Sequence, residues 1–150
     1  MTATLSFCKS LGRNNMGVYT GVQNDVFSVF ASVDWLAENI KVYPTNTIPI
    51  APGTEYLRVT ILPQGDSLNI NSVSGLLMID IFAKFGNGPK RVNELADKLD
   101  SYLRGNQLAT NSGAVTQFQY SSLKDVGKDV DNAALYRAIY QIPFNYFGVN

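Results

Sequence analysis

The stretch VSGLLMIDIFAKFGNGPKRVNELADKLDSYLRG, residues 73–105, decides the reading of the fold. Val73, Gly75, Leu77, Ile79, Ile81, Ala83 and Phe85 alternate with Ser74, Leu76, Met78, Asp80, Phe82 and Lys84, which predicts a strand with one wholly apolar face and one mixed face. Beyond the FGNGPK turn, Val92, Leu95, Ala96, Leu99, Tyr102 and Leu103 recur at the spacing of a single helical stripe, so the helix can cover the apolar face of the strand. Pro89 suits the first helical position, Glu94 and Lys98 stand four apart on the wet side, and Gly105 is placed to end the helix in a left-handed conformation. A strand, a tight connection and a helix therefore form the folding core of the chain.

Working outward from this unit, Glu55 to Leu62 alternates Leu57, Val59 and Ile61 towards the core with Tyr56, Arg58 and Thr60 away from it, which predicts a second strand. Residues 63–72, PQGDSLNINS, read as a protruding loop in which Leu68 and Ile70 alternate with Asn69 and Asn71, the pattern of a short strand whose other edge a partner supplies. Upstream, Val42 to Gly53 carries Pro44, Pro49 and Pro52 and reads as an extended surface connection. Before it, a helix is expected from Asp25, capped there or at Asn24, with Val26, Val29, Phe30, Val33, Leu36 and Ile40 on one stripe. That wheel leaves Trp35 on the opposite side, where an aromatic side chain suits either cover by a loop or a subunit contact. Residues 1–24 lack periodicity and read as an N-terminal arm, with Leu5, Phe7, Cys8 and Leu11 as its apolar group.

Downstream of the core helix, NQLATNSGA reads as a polar loop, Val115 to Ser121 as a short strand, and SLKDVGKDVDNA as a turn. Ala134 to Phe147 sets Tyr136, Ala138, Tyr140, Ile142 and Phe144 against Leu135, Arg137, Ile139 and Gln141, the alternation of a long strand. Pro143 has no N–H for a ladder and predicts a bend or an edge position for this strand. The expected architecture is a single α+β domain over residues 25–150: a mainly antiparallel sheet of about four strands with two helices packed on one face. The other face would carry Arg58, Thr60, Asp80, Phe82, Lys84, Arg137 and Gln141, with Asp80 paired to Arg58 or Arg137 or exposed, because a lone buried carboxylate is costly.

The chemistry of the chain is defined largely by what is missing. No histidine is present among the 150 residues, which removes the commonest general base and zinc ligand, and the single Cys8 can form neither an internal disulfide nor a thiolate metal site. The acids lie mostly on the wet helix face or in loops, so no catalytic carboxylate pair, cofactor site or metal site is expected. FGNGPK matches neither the dinucleotide fingerprint nor the P-loop. The 12 basic and 12 acidic residues cancel without a basic cluster, so any grip on nucleic acid should be weak. The opening residues lack the pattern of a secretory signal, and no apolar run is long enough to span a bilayer, which predicts a protein assembled in a cytoplasm.

The order of parts resembles the tail-terminator, or tail-completion, proteins of long-tailed bacteriophages, including the related phage domain of unknown function found among tail genes. The resemblance is carried by a Val- and Phe-rich opening helix, VYPTNTIPIAPGTEYLRVTILP, a polar loop, SGLLMIDIFAKFGNGPKRVNELADKLDSYL, and the closing strand YRAIYQIPFNYFG, and it spans about residues 25 to 147. It rests on hydrophobic pattern, the G-x-G-P turn and the closing I-P-F. The resemblance implies a non-enzymatic virion protein at the head-proximal end of the tail, which forms a ring, usually a hexamer, and stops tail-tube polymerisation. Its partners would be further copies of itself, the tail tube protein and a head-completion or connector protein, with DNA only in passage. The residues expected at subunit or partner interfaces are Trp35, Arg58, Leu68, Ile70, Asp80, Phe82, Lys84 and Arg137. A head-completion or neck protein of the same phage class, or a small cellular binding module using the mixed sheet face, is the alternative.

Overall fold

The computed structural model describes residues 17–47, 55–65, 72–86, 88–109, 113–130 and 134–148. Helix α1 (Val18–Phe30) and helix α2 (Val33–Glu38) are followed by strands β1 (Lys41–Pro44), β2 (Tyr56–Pro63) and β3 (Ser72–Lys84). Helix α3 (Gly88–Leu103) and strands β4 (Gln107–Ala109), β5 (Val115–Phe118), β6 (Ser122–Lys128) and β7 (Leu135–Phe147) complete the described elements. The strands form one seven-stranded sheet in the order β1-β2-β3-β7-β5-β4, with β6 also paired to β7. β1 runs parallel to β2 and every other pairing is antiparallel.

The expected four-stranded antiparallel sheet under two helices is thereby corrected. The protein is mostly sheet, a mixed sheet curled into a half-barrel, and its helices are short. The difference lies in β1, β4 and β6. β1 falls in the Pro-rich stretch read as a connection, β4 in the loop NQLATNSGA, and β6 in SLKDVGKDVDNA, read as a turn. Six of the seven residues of β6 are exposed, so no alternation marks it in the sequence. Its pairing is also displaced by a bulge between Asp125 and Gly127, where Gly127 takes φ +104°.

The central antiparallel ladder carries the core. In β3, Leu77, Ile79, Ile81 and Ala83 are buried, and in β7 Ala138, Tyr140, Ile142, Phe144 and Tyr146 lie on the same side. Val92, Leu95, Ala96, Leu99 and Leu103 of α3 and Val22, Val26, Val29 and Phe30 of α1 join them in one cluster. β7 is interior to the sheet rather than at an edge, and the structure shows how it keeps Pro143. The Pro143 carbonyl accepts from Gln119 N–H (3.0 Å), so the side of Pro143 that lacks a donor faces the gap between β5 and β6, where the ladder is already interrupted.

The first helix differs from its sequence reading. It begins at Val18, so residues 18–24 are helical, and Asp25 lies inside the helix rather than at its cap. It ends at Phe30, and Ser32 restarts the chain as α2 by accepting the Trp35 N–H at 3.3 Å. The break turns Val33 and Leu36 of the expected stripe outward, while Ile40 stays in the core. Leu36 is 65% exposed and Val33 is fully in the open, while Trp35 is 1% exposed, edge-on to Phe30 and Tyr102 at 5.0 and 5.1 Å. Trp35 is therefore a core residue of the folded chain, not a stranded surface aromatic. α2 ends at Asn39, whose φ of 60° is the left-handed C-cap geometry.

Candidate functional site

The face of the sheet away from the helices is organised by Asp80. Register sets Arg58 of β2 directly opposite it, and Arg137 of β7 one diagonal away. Arg58 donates from Nε and Nη2 to Oδ2 of Asp80 at 3.2 and 3.0 Å, and Arg137 Nη2 donates to Oδ1 at 3.0 Å. Both guanidinium groups also lie over the ring of Phe82, at 5.2 and 5.8 Å from its centroid. Phe82 stacks on Tyr56 at 4.4 Å, and Tyr56 meets Tyr43 of β1 edge-on at 5.7 Å. Leu135 closes the cluster. A carboxylate that is 7% exposed and a ring that is 2% exposed are thus buried without any helix above them, under the arms of two half-buried arginines.

The electrostatics follow from this geometry. Two cations share one anion, so the cluster keeps one positive charge, and Lys84 stands exposed at the end of the same strand face. Arg137 Nε is buried without a hydrogen-bond partner among the described residues. Burial raises the Tyr56 phenol above its ordinary range; Arg58 beside it opposes the shift, and Asp129 and Asp80 add to it. Nothing in the cluster is a free nucleophile or base, and among the described residues no group of three His, Cys, Asp or Glu side chains could hold a metal ion. Its chemistry is that of a weakly cationic, partly apolar surface.

Of the expected interface residues, Arg58, Asp80, Phe82 and Arg137 meet in this one cluster, with Lys84 on the same face. Trp35 lies in the other cluster, packed with the helices, and Leu68 and Ile70 fall outside the described residues. Sequence reasoning missed Tyr43, Tyr56 and Leu135 as members. Tyr56 had a signal, its place two residues before Arg58 on an alternating strand; Tyr43 had none, because the parallel pairing of β1 was not visible.

A second feature lies at the β1 edge. A groove of about 530 Å³ is lined by Phe27, Phe30, Trp35, Leu36, Ile40 and Val42 among others, and Leu36 is open to solvent. On the same, helix-covered side of the sheet, Asp100 of α3 accepts from Tyr140 Oη (2.6 Å) and Ser121 Oγ (2.5 Å), which ties the helix to β7 across the β5–β6 gap. Burial and this bond to Asp100 push the Tyr140 phenol well above its ordinary range, so it remains a donor.

No family model and no curated protein matches the chain. Solved structures do match in fold. A chain from the virion of a native gene transfer agent particle superposes with a TM-score of 0.57 at 16% identity, covering 84% of this chain and 94% of that one. Another solved chain, which carries no functional description, superposes with a TM-score of 0.56 at 15% identity, over 81% of this chain and 86% of its own length. At these identities the likeness is one of fold. Among the described residues no helix is long and apolar enough to cross a membrane.

Proposed function

We propose that this chain is a structural protein of a phage-type virion that closes the end of the tail tube as a ring and joins the tail to the head connector. The observation that carries the reading is the match, over nearly the whole of both chains, to a component of a gene transfer agent virion, a phage-like particle. The sequence resemblance to tail terminators supplies the finer assignment: a ring of copies, usually six, the tail tube protein below and a head-completion or connector protein above. The candidate site agrees in character. It offers a packed surface for assembly and, among the described residues, no catalytic constellation, so the protein is proposed to be no enzyme.

The test is a capping assay. Tail tubes polymerised in the presence of the purified protein should stop growing, and gold-labelled protein should decorate one tube end only. Label confined to the neck, above a tube that is already closed, would assign the head-completion role. Uniform decoration or no attachment would refute the reading.

A further inference from the structure

The uncovered face of the sheet gathers positive charge in a chain whose 12 basic and 12 acidic residues cancel. By register Lys41 of β1, Arg58 of β2, Lys84 of β3, Lys124 of β6 and Arg137 of β7 all stand on the side of Tyr56 and Phe82. Among the described residues they are answered there by Asp80 and by Asp129, whose charge reaches Tyr56. The layout is concentric. At the centre Arg58 and Arg137 share Asp80 over the buried Phe82 ring, with the half-buried Met78 and Ile139 on the same face. Lys41, Lys84 and Lys124, all exposed, stand around that centre on three different strands.

We infer that this face docks the acidic surface of another protein, one that brings carboxylates to the three lysines and an aromatic or apolar side chain to the centre. Arginine, aromatic rings and methionine in the middle with lysine outside is the composition of a protein interface, in which desolvated anchors are surrounded by a charged rim. Duplex DNA would find less here. Two of the five cations are already turned to Asp80, and phosphates gain nothing from an apolar centre. A second copy is a poor occupant too. Two such faces set against each other would oppose lysine to lysine. Elsewhere Arg91 neutralises Glu55 and Glu94, Lys98 neutralises Glu38, and Arg104 stands by Asp100, so another copy offers few carboxylates free to answer the face. The partner is therefore a different, acidic protein.

Fluorescence anisotropy with three labelled probes of matched charge tests the inference: a random Glu–Tyr copolymer, polyglutamate and duplex DNA. The Glu–Tyr copolymer should bind most tightly and DNA least, with the copolymer released as salt is raised. Lys84→Glu/Lys124→Glu should weaken copolymer binding about tenfold at physiological salt, and the milder Lys84→Gln/Lys124→Gln should give an intermediate loss. Lys90→Glu/Lys128→Glu makes the same change of net charge on α3 and on the helix side of β6, and should leave binding within about twofold of the parent. All three variants change exposed side chains and should melt with the parent protein. Equal loss in the two glutamate variants, or no copolymer bound by the parent, overturns the inference. DNA bound as tightly as the copolymer overturns it in favour of a nucleic-acid surface. Light scattering that shows the parent self-associating and Lys84→Glu/Lys124→Glu monomeric assigns the face to a second copy and overturns it as well. No tail tube enters the test, so this inference and the capping reading stand or fall separately.

Discussion

Two buried aspartates are held in different ways by their surroundings. Asp80 has three donors from two arginines, so removing its charge leaves two guanidinium groups side by side under a shared ring. Asp80→Asn is expected to destabilise the protein by about 1–3 kcal/mol in urea unfolding, and a change near zero would mean that the arginines find other partners. Asp25, on α1, is 3% exposed and accepts one bond, from Thr116 Oγ1 at 2.5 Å. Burial raises its carboxyl above the ordinary range, and the Thr116 bond opposes the shift. A raised folded-state value means that folding favours the protonated form. The associated stability is therefore fully present below the unfolded value of about 4 and is lost as pH rises through the folded value. Asp25→Asn keeps an acceptor for Thr116 and removes the buried charge. It should stabilise the protein at pH 7 by about 1 kcal/mol and give no gain in acid, as measured by urea unfolding at both pH values; destabilisation at pH 7 would show that the ionised carboxylate is held by something stronger than Thr116.

At the scale of elements, the fit of strand to strand depends on one missing side chain. A Cβ on Gly75 of β3 would collide with the Leu62 carbonyl oxygen and come within 2.9 Å of both Pro63 Cα and Phe144 Cζ. Backbone is the obstacle, so Gly75→Ala should cost about 2–4 kcal/mol by forcing β2 and β3 apart. A melting temperature within a degree of the parent protein would contradict it. The attachment of α3 is tested by Tyr140→Phe, which deletes one of the two hydroxyl donors to Asp100 and keeps the ring in the core. A loss of about 1–2 kcal/mol is expected, with amide exchange rising first around the last turn of α3 and the β5–β6 gap. The strand, turn and helix of residues 72–103 were legible because burial of one face imposes period 2 and then 3.6 on the sequence. The break at Ala31 was not. Val26, Val29, Val33 and Leu36 satisfy a continuous stripe, and only the Ser32 cap, with Trp35 seated between Phe30 and Tyr102, shows which half of the stripe is real.

For the whole molecule, charge balance bears on what may pass the proposed ring. Arg58 and Arg137 both turn their charge to Asp80, which leaves few free cations on the uncovered face. Binding of linear duplex DNA should therefore be weak, with a log–log salt slope shallower than about −3, since each neutralised phosphate contributes roughly −0.9. Fluorescence anisotropy at several salt concentrations measures the slope, and steep, tight binding would contradict the assignment of DNA to passage alone.

By itself the sequence determined the two long strands, the helix that covers them and the grouping of Arg58, Asp80, Phe82 and Arg137 on one sheet face, because each is written in local alternation that burial enforces, and its composition determined the charge balance. Tertiary structure alone decided the mixed, seven-stranded outline. β1, β4 and β6 are short or exposed, bury little, and owe their conformation to hydrogen bonds with strands distant in sequence rather than to any pattern of their own.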